Sequence, residues 1–414
     1  MQKPRVVITG IGAFTPLGND MDTTWAALLE GKSGVAPITR FDPKGLPVHV
    51  ACEVKNFDPS LAFDAKELRR TDLFEQYAMA AAKQAMKNSG LVITPELAPD
   101  VGVVVGSAVG GFSTLISQSF VLREQGARRI NVFAIPMIMA NGASGMIAIE
   151  TGAQGPSYSP VSACATSNDS IGQAFDLIRH GKARAIIAGG ADATVSELGM
   201  AGFDRVTALS HDNELPSKSP KPFDKKRDGT LMGEGACVMI LEDLELAKSR
   251  GANILAEIIG YGQTTDAFHV IAPSEGGVGA GRCISRAIKD AGIDPSEIDY
   301  INAHGTATPL NDIAETQAIK LALGDHAYKV AISSTKSMTG HMMGATGSLE
   351  AAVCVYAIKH GIMPGTMNLT EPDEQCDLDY IPLAARKKDV RVAMNNSFGF
   401  GGHNSVVIFK RFEE

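Results

Sequence analysis

Gly155-Pro-Ser-Tyr-Ser-Pro-Val-Ser-Ala-Cys164-Ala-Thr-Ser167 is the stretch on which the reading of this chain turns. Its first half is β-rich, small residues follow, and from Asn168 to His180 the pattern is helical, so Cys164 is expected at a strand-to-helix corner. The unpaired N–H groups and positive dipole end of a helix start favour an anion. They lower a thiol's pKa and offer donors to an oxyanion. Cys164 is therefore the candidate nucleophile. A free cysteine is ordinarily a small buried hydrophobe, and it is the rest of the chain that lifts this one out of that class.

Working outward, the same spacing returns in the second half. Cys164-Ala-Thr-Ser leads to Ile178-Arg-His-Gly181, and Gly344-Ala-Thr-Gly leads to Ile358-Lys-His-Gly361. Ala85-Met-Lys-Asn-Ser-Gly90 is likewise matched by Ala287-Ile-Lys-Asp-Ala-Gly292. Strands alternate with helices throughout, which points to α/β layering around buried sheets. The expectation is two pseudo-repeated halves, 1–255 with the thiol and 256–414, facing each other with two helix starts about a shared axis.

Of the 414 residues 44% are hydrophobic and 20% charged, with a formal net charge of −8. Such a balance argues against general nucleic-acid binding, so any basic patch must be local. The six cysteines show no CxxC or Cys/His spacing, so neither a disulfide framework nor a zinc site is expected, and a reducing, cytoplasmic setting fits. Met1-Gln-Lys-Pro-Arg runs directly into strand-like Val6-Val-Ile-Thr, with no export signal expected. The charge-free run between Arg129 and Glu150 is interrupted by Pro136, Asn141, Gly142 and Ser144. It reads as a buried helix, at a subunit interface or within the core, and not as a membrane span.

Val6 to Gly18 begins like a dinucleotide fingerprint, but Thr15 and Pro16 follow Gly10 and Gly12 where the third glycine belongs, so a structural strand and turn is expected. Thr23–Glu30 reads as a short helix and Lys66–Lys87 as a longer one. Lys66, Arg69 and Arg70 at its start and the pair Arg128-Arg129 are either solvated helix ends or one patch for an acidic partner.

The second half supplies further chemistry. Tyr300-Ile-Asn-Ala-His304-Gly-Thr-Ala-Thr reads as a strand ending in a loop, and Ser333-Ser-Thr-Lys336-Ser-Met-Thr-Gly-His341 is similar. A thiol with one histidine would suit amide hydrolysis. Two neutral histidines, each donating an N–H, suit the oxygen of an enolate. Lys336 and Glu350 are either a surface ion pair or a support for His341. Asn395-Asn-Ser-Phe-Gly-Phe-Gly-Gly-His-Asn404 is too glycine-rich for plain strand, and its N–H groups could complete an oxyanion hole, with Phe400 as a hydrophobic door.

With VSACATS, NAHGTATPLND, STKSMTGHMMGATG and NSFGFGGHN in this order, the chain resembles the β-ketoacyl-acyl carrier protein synthases of type II, in the thiolase superfamily, over essentially all of its 414 residues. The resemblance implies a thiolase-like five-layer αβαβα fold, a homodimer, no cofactor, and acyl carrier protein as partner. It implies acyl transfer to Cys164, decarboxylation of a malonyl group promoted by His304 and His341, and condensation to a β-ketoacyl chain two carbons longer. Cys164 and Phe400 would supply oxyanion N–H groups, and Lys336 with Glu350 would support the site. Thr306 and Thr308 would hold the phosphopantetheine arm, and Val109, Ala163, Gly199, Phe203, Met343 and Phe400 would line the acyl tunnel. Lys66, Arg69, Arg70, Arg128 and Arg129 match the carrier-protein patch, while Asn302, Glu350 and Asn396 match a structural cation site of some relatives. Two positions depart from the family: Thr207 replaces a docking arginine, with Arg205 nearby, and Ile271 replaces a threonine that contacts the pantetheine arm. The alternatives are a polyketide ketosynthase, a coenzyme A-dependent thiolase, and a non-catalytic partner subunit.

Overall fold

The computed structural model describes residues 3–213 and 218–414; Met1 and Gln2 of the expected N-terminal start lie outside them. The chain opens with β1 (Val6–Phe14) and α1 (Met21–Leu29), then a small ribbon of β2 (Ala36–Pro37) and β3 (Val50–Ala51). The first half continues through α2 (Leu73–Ser89), β4 (Val101–Gly106), α3 (Phe112–Gln125), α4 (Ala134–Ile138), α5 (Gly142–Thr151), β5 (Ser157–Tyr158) and α6 (Thr166–Arg179). It closes with β6 (Ala185–Asp192), α7 (Glu197–Arg205), β7 (Gly235–Asp243) and α8 (Leu244–Ser249). The second half holds β8 (Ala256–Thr265), α9 (Val278–Ala291), β9 (Tyr300–Asn302), α10 (Pro309–Leu323), β10 (Ala331–Ser333), α11 (Lys336–Thr339) and α12 (Thr346–His360). A second ribbon, β11 (Ile362–Met363) and β12 (Arg386–Lys387), precedes the hairpin β13 (Val392–Gly399) and β14 (His403–Lys410).

Ten strands form one mixed sheet in the order β10-β9-β13-β14-β8-β1-β7-β6-β4-β5. The seam is short, since β1 meets β8 only at Val6–Ile8. On either side of it the pattern is the same: β1/β7 and β7/β6 antiparallel, β6/β4 and β4/β5 parallel, answered by β8/β14, β14/β13, β13/β9 and β9/β10. The repeat read from the sequence is therefore a repeat of topology. Helices α6 and α12 pack between the two sets of strands, α2 and α5 cover the outer face of one set, and α9 and α10 cover that of the other, giving the five expected layers. Nearly every residue of α12 is buried, as a helix covered on both sides must be.

The glycines of β1 serve packing, as the rejected cofactor reading requires. A Cβ at Gly10 would lie 2.3 Å from the Ala85 carbonyl oxygen, and one at Gly12 2.1 Å from that of Ala81, so α2 rests directly on the strand. Three expectations need correction. Helix α2 begins at Leu73, not Lys66, because Asp72 and Glu75 form a reciprocal capping box, and Glu67–Arg70 make a separate 3-10 turn. The charge-free run is two short helices with Ile135 and Ile149 exposed by 69% and 84%, not one helix buried in this chain. The strand before Cys164 stops at Tyr158, since Pro160 removes a ladder donor, so the thiol sits in a 3-10 turn, Ala163–Ala165, leading into α6.

Candidate active site

The ends of β4, β6, β9 and β13 and the starts of α6 and α12 converge on one region, where parallel strands present their carboxyl ends. Ala163 there takes a positive φ of 53°, and Met343, in the matching turn before α12, one of 49°. A non-glycine residue in this conformation signals a turn held against its own preference by the surrounding structure.

A cavity of about 490 Å³ contains Cys164, His304, His341, Phe203 and Phe400, with Thr306 and Thr308 along its wall. Cys164 is 9% exposed. Burial pushes its thiol up to about 11, against the Lys336 ammonium and the N–H groups of Phe400 and of Cys164 itself, which favour the anion. This corrects the expectation of a thiolate poised by the helix start: in the free protein desolvation outweighs the helix dipole.

The two imidazoles stand with ring centroids 5.6 Å apart and nearly perpendicular, and the Phe398 ring lies 5.8 Å from that of His304. Burial and the Lys336 charge hold both well below the ordinary histidine value, so both are neutral at pH 7. His341 follows Gly340, whose φ of 64° turns the chain, and its main chain bonds Leu231 and Gly233. Its Nδ1 lies 3.0 Å from Thr346 Oγ1, while Nε2 has no partner. His304 is oriented through its backbone: Glu315 accepts from the N–H groups of His304 and Gly305 at 2.8 and 2.7 Å, and from Asn396 Nδ2 at 3.1 Å. Burial pushes Glu315 up to about 7.

Lys336 and Glu350 are fully buried and paired at 2.7 Å, which overturns the surface-pair alternative. Burial raises Glu350 to about 7 despite the ammonium. Beside them the side-chain oxygens of Asn302, Asn396 and Ser397 are buried without hydrogen-bond partners. Among the described residues no group of three His, Cys, Asp or Glu side chains could hold a metal ion; the oxygens of Asn302, Glu350 and Asn396 suit only a hard, oxygen-liganded cation.

The remaining expected residues divide. Thr306 Oγ1 and Thr308 Oγ1 are 2.9 Å apart, and the Phe203 and Phe400 rings stack at 6.2 Å. Val109, Ala163, Gly199 and Met343 do not line the cavity that holds the thiol. Met343 packs instead with Val195, Met200 and Met232, and the partly buried Phe203 and Ala108 pack against the same cluster. Asn395–Gly399 turns out to be regular strand, and only Phe400–Gly402 forms the turn. The chain just past Arg128-Arg129 reaches the first basic cluster: Asn131 Nδ2 bonds the Arg69 carbonyl at 3.3 Å, and the Arg70 guanidinium lies 4.6 Å over the Phe133 ring. Lys66, Arg69, Arg128 and Arg129 are exposed there, and Arg70 pairs with Glu67 at 2.9 Å. Thr207 and Ile271 line the cavity, whereas Arg205 ends α7 exposed and outside it.

Sequence reasoning missed Glu315, Thr346 and Phe398. For Glu315 there was a signal: Asp312 and Glu315 share a helix face with Ala318 and Ile319, an unusual place for carboxylates unless they are bonded.

Residues 3–247 match the family described as Beta-ketoacyl synthase, N-terminal domain, and 255–370 its C-terminal domain. The 3-oxoacyl-[acyl-carrier-protein] synthase 2 of Synechocystis sp. is 48% identical over 413 residues, 100% of this chain and 99% of that protein. The protein of the same name from Coxiella burnetii is 49% identical over 411 residues, 99% of both. Among solved structures, the ishigamide ketosynthase/chain length factor superposes with a TM-score of 0.93 at 38% identity, covering 99% of this chain and 100% of that one. A type II PKS ketosynthase in complex with its acyl-carrier protein gives 0.91 at 32%, covering 100% of both chains.

Proposed function

The chain belongs to the β-ketoacyl synthase family, and from that premise we propose that it elongates fatty-acyl chains by decarboxylative condensation on acyl carrier protein. The observation that carries the reading is one cavity shared by a thiol and two neutral imidazoles. The Cys164 sulfur attacks the acyl thioester, the carrier thiol leaves with the proton, and the acyl group stays on Cys164. A malonyl thioester then loses its carboxylate as carbon dioxide, and the electron pair of the broken C–C bond passes to the thioester as an enolate. A neutral His341 that accepts the Thr346 hydroxyl at Nδ1 carries its proton on Nε2, where an N–H can meet the enolate oxygen beside that of His304. The enolate carbon attacks the acyl-cysteine carbonyl, the N–H groups of Cys164 and Phe400 bond the oxyanion, and the Cys164 sulfur departs. Protonated histidines would repel no enolate but could not form readily here; the Lys336 charge and burial keep them neutral and ready as donors.

In this reading 1–255 forms the thiol-bearing half and 256–414 the histidine-bearing half. Thr306 and Thr308 bond the pantetheine arm, and the patch from Lys66 to Arg129 docks the acidic carrier protein. Phe203 stacks on Phe400 at the cavity and also packs against the Met343 cluster, which supports a reading in which Phe400 moves to admit an acyl chain to the tunnel of Val109, Ala163, Gly199 and Met343. Asn302, Glu350 and Asn396 would hold a structural cation beside the Lys336–Glu350 pair. Exposed Phe120, Val132, Ile135, Ile149 and Val161, drawn from one run of chain, support a homodimer. Six cysteines without a disulfide among them support a cytoplasmic setting. Relatives of 46–49% identity that carry the name 3-oxoacyl-[acyl-carrier-protein] synthase 2 support the fatty-acyl substrate. Cys164→Ala is expected to abolish elongation of acyl-carrier substrates; elongation at the wild-type rate would refute the mechanism.

A further inference from the structure

The two halves differ at one matched position. Strands β6 and β13 are both eight residues long and occupy equivalent places beside β4 and β9. Their last residues are Asp192 and Gly399. Gly399 lies against the turn of the nucleophile: a Cβ there would stand 3.0 Å from the Cys164 nitrogen and 2.8 Å from the Ser162 carbonyl oxygen. The absence of a side chain keeps the space at the Cys164 N–H free for substrate. Asp192 lies against the other turn, where the repeat puts Gly344 in the place of Cys164. Its carboxylate is fully buried and takes that space itself: Oδ2 accepts from Gly344 N at 2.6 Å and from Ala108 N at 3.1 Å, and Oδ1 from Ser107 Oγ at 2.6 Å. A Cβ at residue 344 would lie 2.6 Å from Asp192 Oδ2, so glycine is needed for the carboxylate to seat.

We propose that Asp192 is a positioning residue for the acyl tunnel, a built-in carboxylate that fills the second, glycine-bearing turn and clamps the Ser107–Val109 loop to Met343-Gly344. This rests on the reading of Val109 and Met343 as tunnel wall. The clamp ties the end of β4, in one half, to the turn before α12, in the other, and both tunnel residues are neighbours of the bonded N–H groups. Met343 keeps its φ of 49° beside this bond, and Ala108 packs on the cluster that holds Met343. Without the carboxylate, buried N–H groups of Ala108 and Gly344 lose their acceptor, and the wall on both sides relaxes.

Asp192→Ala and the near-isosteric Asp192→Asn test this in the full-length enzyme. The readouts are kcat/KM for a long and a short acyl-carrier substrate, the rate at which a short acyl group loads Cys164, and thermal unfolding in sodium formate against sodium chloride. Expected are a change of about tenfold in the long-to-short ratio, loading of the short chain within about twofold of wild type, and formate-dependent recovery of both ratio and melting temperature in Asp192→Ala. Formate restores the missing carboxylate; chloride at equal ionic strength does not. A wild-type ratio in a folded Asp192→Asn, or formate acting no better than chloride on Asp192→Ala, overturns the proposal. Wild-type enzyme that fails to elongate either substrate refutes the functional reading instead, and the formate-dependent melting then still decides whether the carboxylate fills the turn.

Discussion

Replacing Glu315 by glutamine should uncouple the loop of His304 from its helix in a way that pH reveals. Glu315 bonds two backbone N–H groups and Asn396 from a fully buried position, and burial pushes it up to about 7 against an ordinary 4.5. The folded protein thus holds this proton more tightly than the unfolded chain does. Stability is greatest while the group is protonated in both states, and falls as pH rises from the unfolded value through about 7. At 1.36 kcal/mol per pH unit the gap corresponds to roughly 3 kcal/mol. Glutamine does not titrate, so urea midpoints of wild type and Glu315→Gln should move relative to one another by roughly 2–3 kcal/mol between about pH 5 and pH 8, in favour of the variant. At about pH 8 the variant should also decarboxylate a malonyl thioester about 10- to 100-fold more slowly, because its single amide oxygen leaves one of the two N–H groups facing an amide nitrogen. A stability difference that stays constant with pH, together with wild-type decarboxylation, would refute the assignment of Glu315 as the clamp on His304.

Alkylation of Cys164 by iodoacetamide in the free enzyme should rise about tenfold per pH unit between about pH 7 and 9, since the thiol titrates near 11; a plateau below about pH 8 would show a thiolate already formed. Decarboxylation by a Cys164→Gln variant should stay flat as pH falls from about 8 to about 6.5, because both histidines are held well below their ordinary value; a loss centred near 6.5 would mean that one of them protonates normally. Charge reversal at Arg128 and Arg129 should slow association with an acidic carrier protein, more at low salt than at high. Stopped-flow rates with no salt dependence would remove that surface from the docking site.

The repeat of Cys164-Ala-Thr-Ser by Gly344-Ala-Thr-Gly was legible because helix starts and their glycines are local signals, and it predicted the two-set topology that the sheet displays. His304 and His341 were legible as strand-end residues flanked by glycines. What escaped depended on burial. The chemistry of a helix start argued for a thiolate at Cys164, but the distance of that sulfur from water, which no residue pattern states, reverses the balance. Lys336 and Glu350 had two readings for the same reason, since fourteen positions of spacing do not tell whether a pair faces solvent or core. The start of α2 was misjudged by seven residues although Asp72 and Glu75 spell a capping box, because the preceding basic run also resembles a helix. Glu315 was passed over because its partners are main-chain groups, invisible in side-chain identities.

The place of β1 in the sheet bears on how the protein is made. Every residue from Val6 to Phe14 is buried, yet the strand's partners begin at Gly235 and Ala256. At ribosomal speeds of 5–20 residues per second, roughly 10–45 s pass between emergence of this apolar segment and arrival of the first strand that can pair with it. During that interval β1 has helix α2, made some sixty residues later, to rest on but no strand to satisfy its ladder, which makes Val6–Phe14 a natural segment for a chaperone to hold.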